Sequence, residues 1–184
     1  MDANDASLAL PALMQQIADE FKEGRFKKVQ QSLDQALAIE PDDVPLLMLR
    51  AMAQTKQSLW VGAQADYAKA RRLAPEDPET WLGEGMCLAI RQQVYPALDL
   101  LETLLQKQPH FVRGHIQVAR YYFKLCVSAK GQAHLKAALA ADPNLDERRE
   151  IEEMSRSEAV LDQKRMYRPD FEALRREKNA KAQA

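Results

Sequence analysis

The chain has 184 residues, 46% of them hydrophobic and only 6 of them glycine, enough apolar material to cover a continuous core in one domain and a composition that leans helical. A net charge of -1 supplies no field that would hold nucleic acid. The two cysteines, Cys87 and Cys126, make no disulfide framework and read as reduced thiols packed as small apolar groups in a cytoplasmic setting.

The first eight residues form an N-terminal segment. Met1 to Ala6 contains two aspartates and no basic residue, and the run from Leu8 to Leu13 is too short for a secretory signal. No window reaches the ~18 apolar residues of a membrane span. Helices are then expected in pairs, at 9–22 and 26–39 with Gly24 in the turn, 44–56 and 60–73, 78–91 and 94–107, and 112–125 and 129–141. Pro41, Pro75, Pro109 and Pro143 follow the second helix of each pair, where a residue without N–H can no longer extend it. Asp42-Asp43, Glu76-Asp77 and Asn144 come next and suit the start of the following helix. Pro45, Pro78 and Pro96 fall in the first turn of a helix, where proline is tolerated. A capping helix is expected over 144–167, with Leu145, Ile151, Met154, Val160 and Leu161 as its apolar stripe. Arg168-Pro169 ends it. A weakly basic tail, 168–184, carries Phe171 and Leu174.

The four prolines stand 34 residues apart, and other columns keep the same period. Val29, Ala63, Ala97 and Gly131 are small or slim, and so mostly are Ala36, Ala70, Leu104 and Ala138. Ile17, Ala51, Gly85 and Ala119 form a third such column. Leu33, Tyr67, Leu101 and Leu135 are large, and so are Leu13, Leu47, Trp81 and His115. Close-packed helices require this alternation, with Ala63 and Ala97 at close crossings and Glu102 on the solvated outer face. A fixed period of this length marks a helical repeat array.

With Trp81, Gly85, Ala97 and Pro109 at their places, the third unit best matches the pattern of the tetratricopeptide repeat (TPR) family, which the chain resembles over about residues 10–143. Leu101 stands where the family has an aromatic residue, and Leu104 where alanine is usual. The resemblance implies an all-α, right-handed superhelical solenoid of four hairpins (9–43, 44–77, 78–111, 112–143) closed by the capping helix.

No catalytic constellation stands out. There is no glycine-rich phosphate loop, no nucleophile elbow and no Cys or His pair at metal-ligand spacing, so neither an enzyme nor a bound cofactor is expected. His110 and His134 are scattered, His115 sits in a packing column, and the carboxylates read as solvated groups in turns and on outer faces. In the family the first helix of each unit lines a concave groove that holds a partner peptide. The resemblance therefore puts Met14 and Phe21, then Met48, Leu49 and Met52, then Leu82, Met86 and Ile90 on an apolar, methionine-rich floor. The fourth unit adds Arg113, Ile116, Arg120 and Lys124, a basic end suited to acidic groups on the partner. The alternative reading of Met48 and Met52 is core. The lysine, asparagine and arginine with which chaperone-binding members hold a terminal carboxylate are replaced by Met14, Ala18, Leu49, Glu79 and Gly83. The expected function is a non-enzymatic scaffold or adaptor for an apolar or amphipathic partner segment. The alternatives are a self-assembling homo-oligomer whose groove is filled by its own or a neighbour's C-terminal segment, and a dedicated client chaperone.

Overall fold

The prolines and acids that punctuate the sequence mark helix ends in the computed structural model, which describes residues 3–164. The expected break at Arg168-Pro169 and the basic tail lie outside the described residues. The elements, in order, are α1 (Ala3–Lys22), α2 (Phe26–Ile39), α3 (Val44–Lys56), α4 (Trp60–Leu73), α5 (Pro78–Ile90), α6 (Val94–Lys107), α7 (Val112–Lys124), α8 (Ser128–Ala140) and α9 (Leu145–Lys164). The described residues contain no strand. One boundary differs clearly from expectation. Helix α1 begins at Ala3 rather than residue 9 and runs through Pro11. Its upstream stretch is rich in Ala and Leu, strong helix formers that carry the helix past a proline that breaks only one turn of hydrogen bonds.

Local chemistry fixes the turns. Asp43 caps α3 by accepting from the Leu46 N–H at 2.7 Å, and Asp77 caps α5 by accepting from the Glu79 N–H at 3.0 Å. Pro45 and Pro78 sit in the first turn behind these caps, where no N–H is needed. At α9, Asn144 Oδ1 accepts from the Glu147 N–H at 2.9 Å while the Glu147 carboxylate accepts from the Asn144 N–H at 3.0 Å. That reciprocal pair is a capping box.

Inside each hairpin the turn repeats residue for residue. Gly24, Ser58, Gln92 and Cys126 all have positive φ, between 61° and 70°. The following N–H reaches back over the turn in each case. Arg25 bonds the Glu20 carbonyl at 2.9 Å, Leu59 that of Gln54 at 2.9 Å, Gln93 that of Leu88 at 3.0 Å and Val127 that of Tyr122 at 2.9 Å. This is the closing bond of a Schellman turn, and it requires a left-handed residue just before it. Only the first of the four is a glycine.

The residues form two compact units, one ending at Ala97 and one beginning at Leu98, with the division inside α6. In the first unit α1 packs on α2, α2 on α3, α3 on α4, and α5 on both α3 and α4. Its cores gather Ile17, Val29, Leu33, Leu46 and Leu47, and then Ala51, Ala63, Tyr67 and Cys87. In the second unit α7 packs on α8, and α9 covers both. Ile151 of α9 is fully buried there among Val112, Phe123 and Leu135. The small columns lie at the crossings: Val29, Ala36, Ala63, Ala70, Ala97 and Ala138 have no exposed surface.

Glycine at Ser58 or Gln92 removes the steric cost of a left-handed side chain. Ser58→Gly and Gln92→Gly should each raise the urea midpoint, by about 0.5–1 kcal/mol of stability. Ala63→Leu forces volume into a crossing with none to spare and should cost about 1–3 kcal/mol, read from the same titration. Exposed Lys28→Ala is the comparison and should do little. Glu102 does not serve for that purpose, because it is half-buried and accepts a hydrogen bond from the Tyr122 hydroxyl.

Candidate functional site

In a helix, residues four apart lie above one another on one face. Met52 and Lys56 share such a face on α3, and Met86 and Ile90 share the corresponding face on α5, which packs beside α3. Met52 is 43% exposed, Met86 39% and Ile90 49%, high values for side chains of this size. Three further residues of the expected floor, Met14, Phe21 and Leu49, are half-buried with one side on the core. Phe21 stands edge-on to Phe26 at 5.6 Å between centroids.

The two methionines of α3 part company. Met48 turns inward onto both core clusters of the first unit. A Cβ on Gly83 would sit 3.0 Å from Met48 Cε and 2.5 Å from Tyr67 Cε1, so only glycine lets α5 approach that ring and thioether. Met52, one turn on, faces outward.

Two expected floor residues are corrected. Leu82 and Ile116 are each only 4% exposed and offer no surface to a partner. Leu82 stands four positions before the exposed Met86, but α5 is buried nearly all round at this level: Thr80, Trp81 and Glu84 are buried as well. Ile116 belongs to the core of the second unit with Ala119, Leu135 and Ile151. The basic end changes too. Arg120 pairs with Glu150 on α9 and donates to Gln117 Oε1 at 3.4 Å, so part of its charge is already answered within the chain. Arg113 and Lys124 are exposed.

Some carboxylates expected in solvent are buried. Asp66 accepts both Nε and Nη2 of Arg50, each at 2.7 Å, and Asp34 accepts Nη1 of the same guanidinium at 2.8 Å. The bidentate Asp66 contact is the main reason the Arg50 pKa is raised. Glu84 accepts from Arg71 Nε at 2.5 Å, and Arg71 lies over the Trp81 ring at 4.9 Å. Glu20 accepts from the Ser32 hydroxyl at 3.0 Å. These groups tie α2, α3 and α4, α4 and α5, and α1 and α2 together. They have the geometry of cross-braces.

The histidines make the other polar cluster. His115 Nε2 lies 2.9 Å from the Pro109 carbonyl oxygen, and His115 Nδ1 lies 3.0 Å from His134 Nδ1. A carbonyl can only accept, so Nε2 of His115 carries a proton; with the rings neutral, its Nδ1 accepts from Nδ1–H of His134. Trp81, at the same place one repeat earlier, donates from Nε1 to the Pro75 carbonyl at 2.8 Å. His115 thus plays the structural part of a tryptophan. Tyr122 stacks on His134 at 5.8 Å, donates to Glu102, and has Lys130 Nζ at 3.3 Å from its hydroxyl. Burial, and then the Glu102 hydrogen bond, push the Tyr122 hydroxyl up to about 12.

Among the described residues no group of three or more His, Cys, Asp and Glu could hold a metal ion. Neither cysteine is in a disulfide. Cys87 is buried, which pushes its pKa up and leaves it a poor nucleophile; Cys126 is half-buried in a turn. The second unit has an open cleft of about 570 Å³ between α8 and α9, with Leu135, Leu139 and Ile151 at its base and Lys136, Glu152 and Arg156 around it. No described helix is long and apolar enough to cross a membrane.

No family model matches the chain, and no curated protein matches it in sequence. Solved structures do match. TTC0263, a thermophilic TPR protein of Thermus thermophilus, superposes with a TM-score of 0.67 at 21% identity, over 83% of this chain and 84% of that one. A MamA crystal structure gives 0.62 at 14% identity over 72% and 78% of the two chains. MamA from Desulfovibrio magneticus RS-1, residues 41 to the end, gives 0.61 at 16% over 86% and 97%. A mutant O-GlcNAc transferase of Thermobaculum terrenum gives 0.56 at 19%, over 64% of this chain and 22% of that one. The chain has the TPR fold.

The histidine cluster generates a pH prediction. Burial first, then His115 and Lys130, hold the His134 pKa down at about 4. The unfolded chain therefore takes up a proton that the fold refuses, and stability falls as pH drops from about 6.5 toward about 4. His134→Gln should make that fall shallower between about pH 6.5 and about pH 5, where most carboxylates are still ionised, as measured by melting temperature against pH.

Proposed function

We propose that this chain is a non-enzymatic protein-interaction module, a scaffold or adaptor, that seats an apolar or amphipathic segment of a protein partner. The proposed seat is the face of α3 and α5 in the first unit. The observation that carries the reading is the exposure of Met52 and Met86 at matching places on adjacent helices, with Ile90 exposed one turn beyond Met86. Methionine suits the role, because its unbranched, polarisable side chain fits many apolar partners. The fold agrees with it, since the similar structures include a protein described as a TPR protein. The proposed setting is the cytoplasm, where cysteines outside disulfides, such as Cys87 and Cys126, stay reduced.

The magnitudes bound the affinity. Full burial of such a side chain gives about 1.5–3 kcal/mol, and each of these is already more than half covered, so about 1 kcal/mol each remains. Half-buried Met14, Phe21 and Leu49 add to this at their edges. Association costs at least about 4 kcal/mol, so apolar contact alone gives weak binding. Polar contacts must supply the rest.

Met52→Glu with Met86→Glu tests the seat. The double variant should keep its helical circular dichroism and melt within a few degrees of the parent, because both side chains already reach solvent. It should lose binding to amphipathic helical peptides selected against the parent chain. An unfolded double variant would assign those methionines to the core and remove the proposed seat.

A further inference from the structure

We infer that the partner segment is an amphipathic helix with carboxylates along one edge of its apolar stripe, read by a row of lysines beside the methionines. This deepens the proposed seat and rests on it. The row comes from the repeat. Ala18, Met52 and Met86 occupy one position of the 34-residue register, and Lys22, Lys56 and Ile90 occupy the position four residues later. Each pair is i,i+4, so both members lie on one face of α1, α3 and α5 respectively. On α1 and α3 a lysine therefore stands one turn after the Ala18 or Met52 position, and on α5 Ile90 takes that place and continues the apolar surface. Lysine recurs at this position as Lys124 of α7.

Lys22 and Lys56 are both exposed. Lys22 meets Asp19 at 3.8 Å, but both side chains are more than half exposed, an ion pair that water and salt readily replace. Three arginines of this unit are engaged in the fold: Arg50 by Asp66 and Asp34, Arg71 by Glu84, and Arg91 by Gln64. Lys27, Lys28 and Arg72 are exposed, but on the second helices α2 and α4 rather than on α3 or α5. Lys22 and Lys56 thus put cationic groups one turn from the Ala18 and Met52 positions. Their complement is a strip with carboxylates along one side. A lysine in the last turn also suits the negative end of its own helix. That role would be served with any partner or none, so the two roles separate by experiment.

The probes are three labelled helical peptides with the same leucine and isoleucine stripe, edged by glutamate, glutamine or lysine. Binding to the full chain is followed by fluorescence anisotropy at about 50 and about 300 mM salt, which shortens the screening length about 2.5-fold. The glutamate peptide should bind about tenfold tighter than the glutamine peptide at low salt, and most of that margin should vanish at high salt. Lys22→Gln with Lys56→Gln should erase the margin and leave the glutamine peptide's affinity unchanged. Equal binding of the glutamate and glutamine peptides, or a margin that survives the double lysine variant, would overturn the inference while the apolar seat stands. Failure of all three peptides to bind would overturn the seat and the inference together.

Discussion

Two helices can cross closely only where at least one of them carries a small side chain, and the described hairpins depend on meeting that condition. Val29, Ala63 and Ala97 have no exposed surface, and neither do Ala36, Ala70 and Ala138. At such crossings backbones approach closely enough for the large columns to interlock, with Leu33, Leu101 and Leu135 almost wholly enclosed. The fourth hairpin shows how tight the condition is. A Cβ at Gly131 would lie 2.3 Å from Cε1 of Phe123. The aromatic ring of α7 is accommodated because α8 gives up its side chain. Where the first helix carries more bulk, the second carries less.

A constraint on crossing distance is also a constraint on the turn. The second helix must return at the same spacing, and the four hairpins do so through one left-handed residue and one reach-back hydrogen bond. Ser58, Gln92 and Cys126 accept an unfavourable backbone region because the packing on either side over-determines it. Buried polar groups follow the same logic. Arg50, held by Asp66 and Asp34, joins three helices. The imidazole of His115 meets the Pro109 carbonyl as the indole of Trp81 meets the equivalent Pro75 carbonyl one repeat earlier. A histidine pair at 3.0 Å resembles a reactive site until its partners are counted. One ring is committed to a backbone carbonyl, and the other is held neutral by burial.

The helices were legible because their ends are written in residues with few alternatives. Proline after the second helix, and aspartate with proline at the next start, leave little freedom in where a helix stops. The start of α1 was not legible, since Pro11 signals a first turn while the residues before it favour helix. The left-handed turns were legible only at Gly24, because serine, glutamine and cysteine carry no mark of positive φ. The candidate seat was partly legible. Neighbouring positions on a helix differ by about 100°, but burial also depends on which helices stand opposite. Met86 is exposed, whereas Leu82, four residues earlier on the same side, is covered. The buried carboxylates are not legible in the sequence for a related reason. Arg50 and Asp66 are 16 residues apart in sequence, and nothing local to either records the pairing.

The division between what the fold consumes and what it leaves over bears directly on function. The crossing columns, the glycines under aromatic rings and the arginine braces cannot be altered without cost to the fold. Met52, Met86 and Ile90 bear no such duty, since each keeps about two-fifths or more of its surface in solvent. Water exacts a penalty for that exposure, and packing gives no reason for it. A polar residue at any of the three places would serve the helix as well and the solvent better. Isolated apolar side chains on a surface need no explanation, but matching ones on packed neighbouring helices form a continuous strip. The strip gains little from any one residue, so its selectivity must come from what flanks it. On α3 that flank is Lys56, one turn beyond Met52, placed by the period that builds the fold.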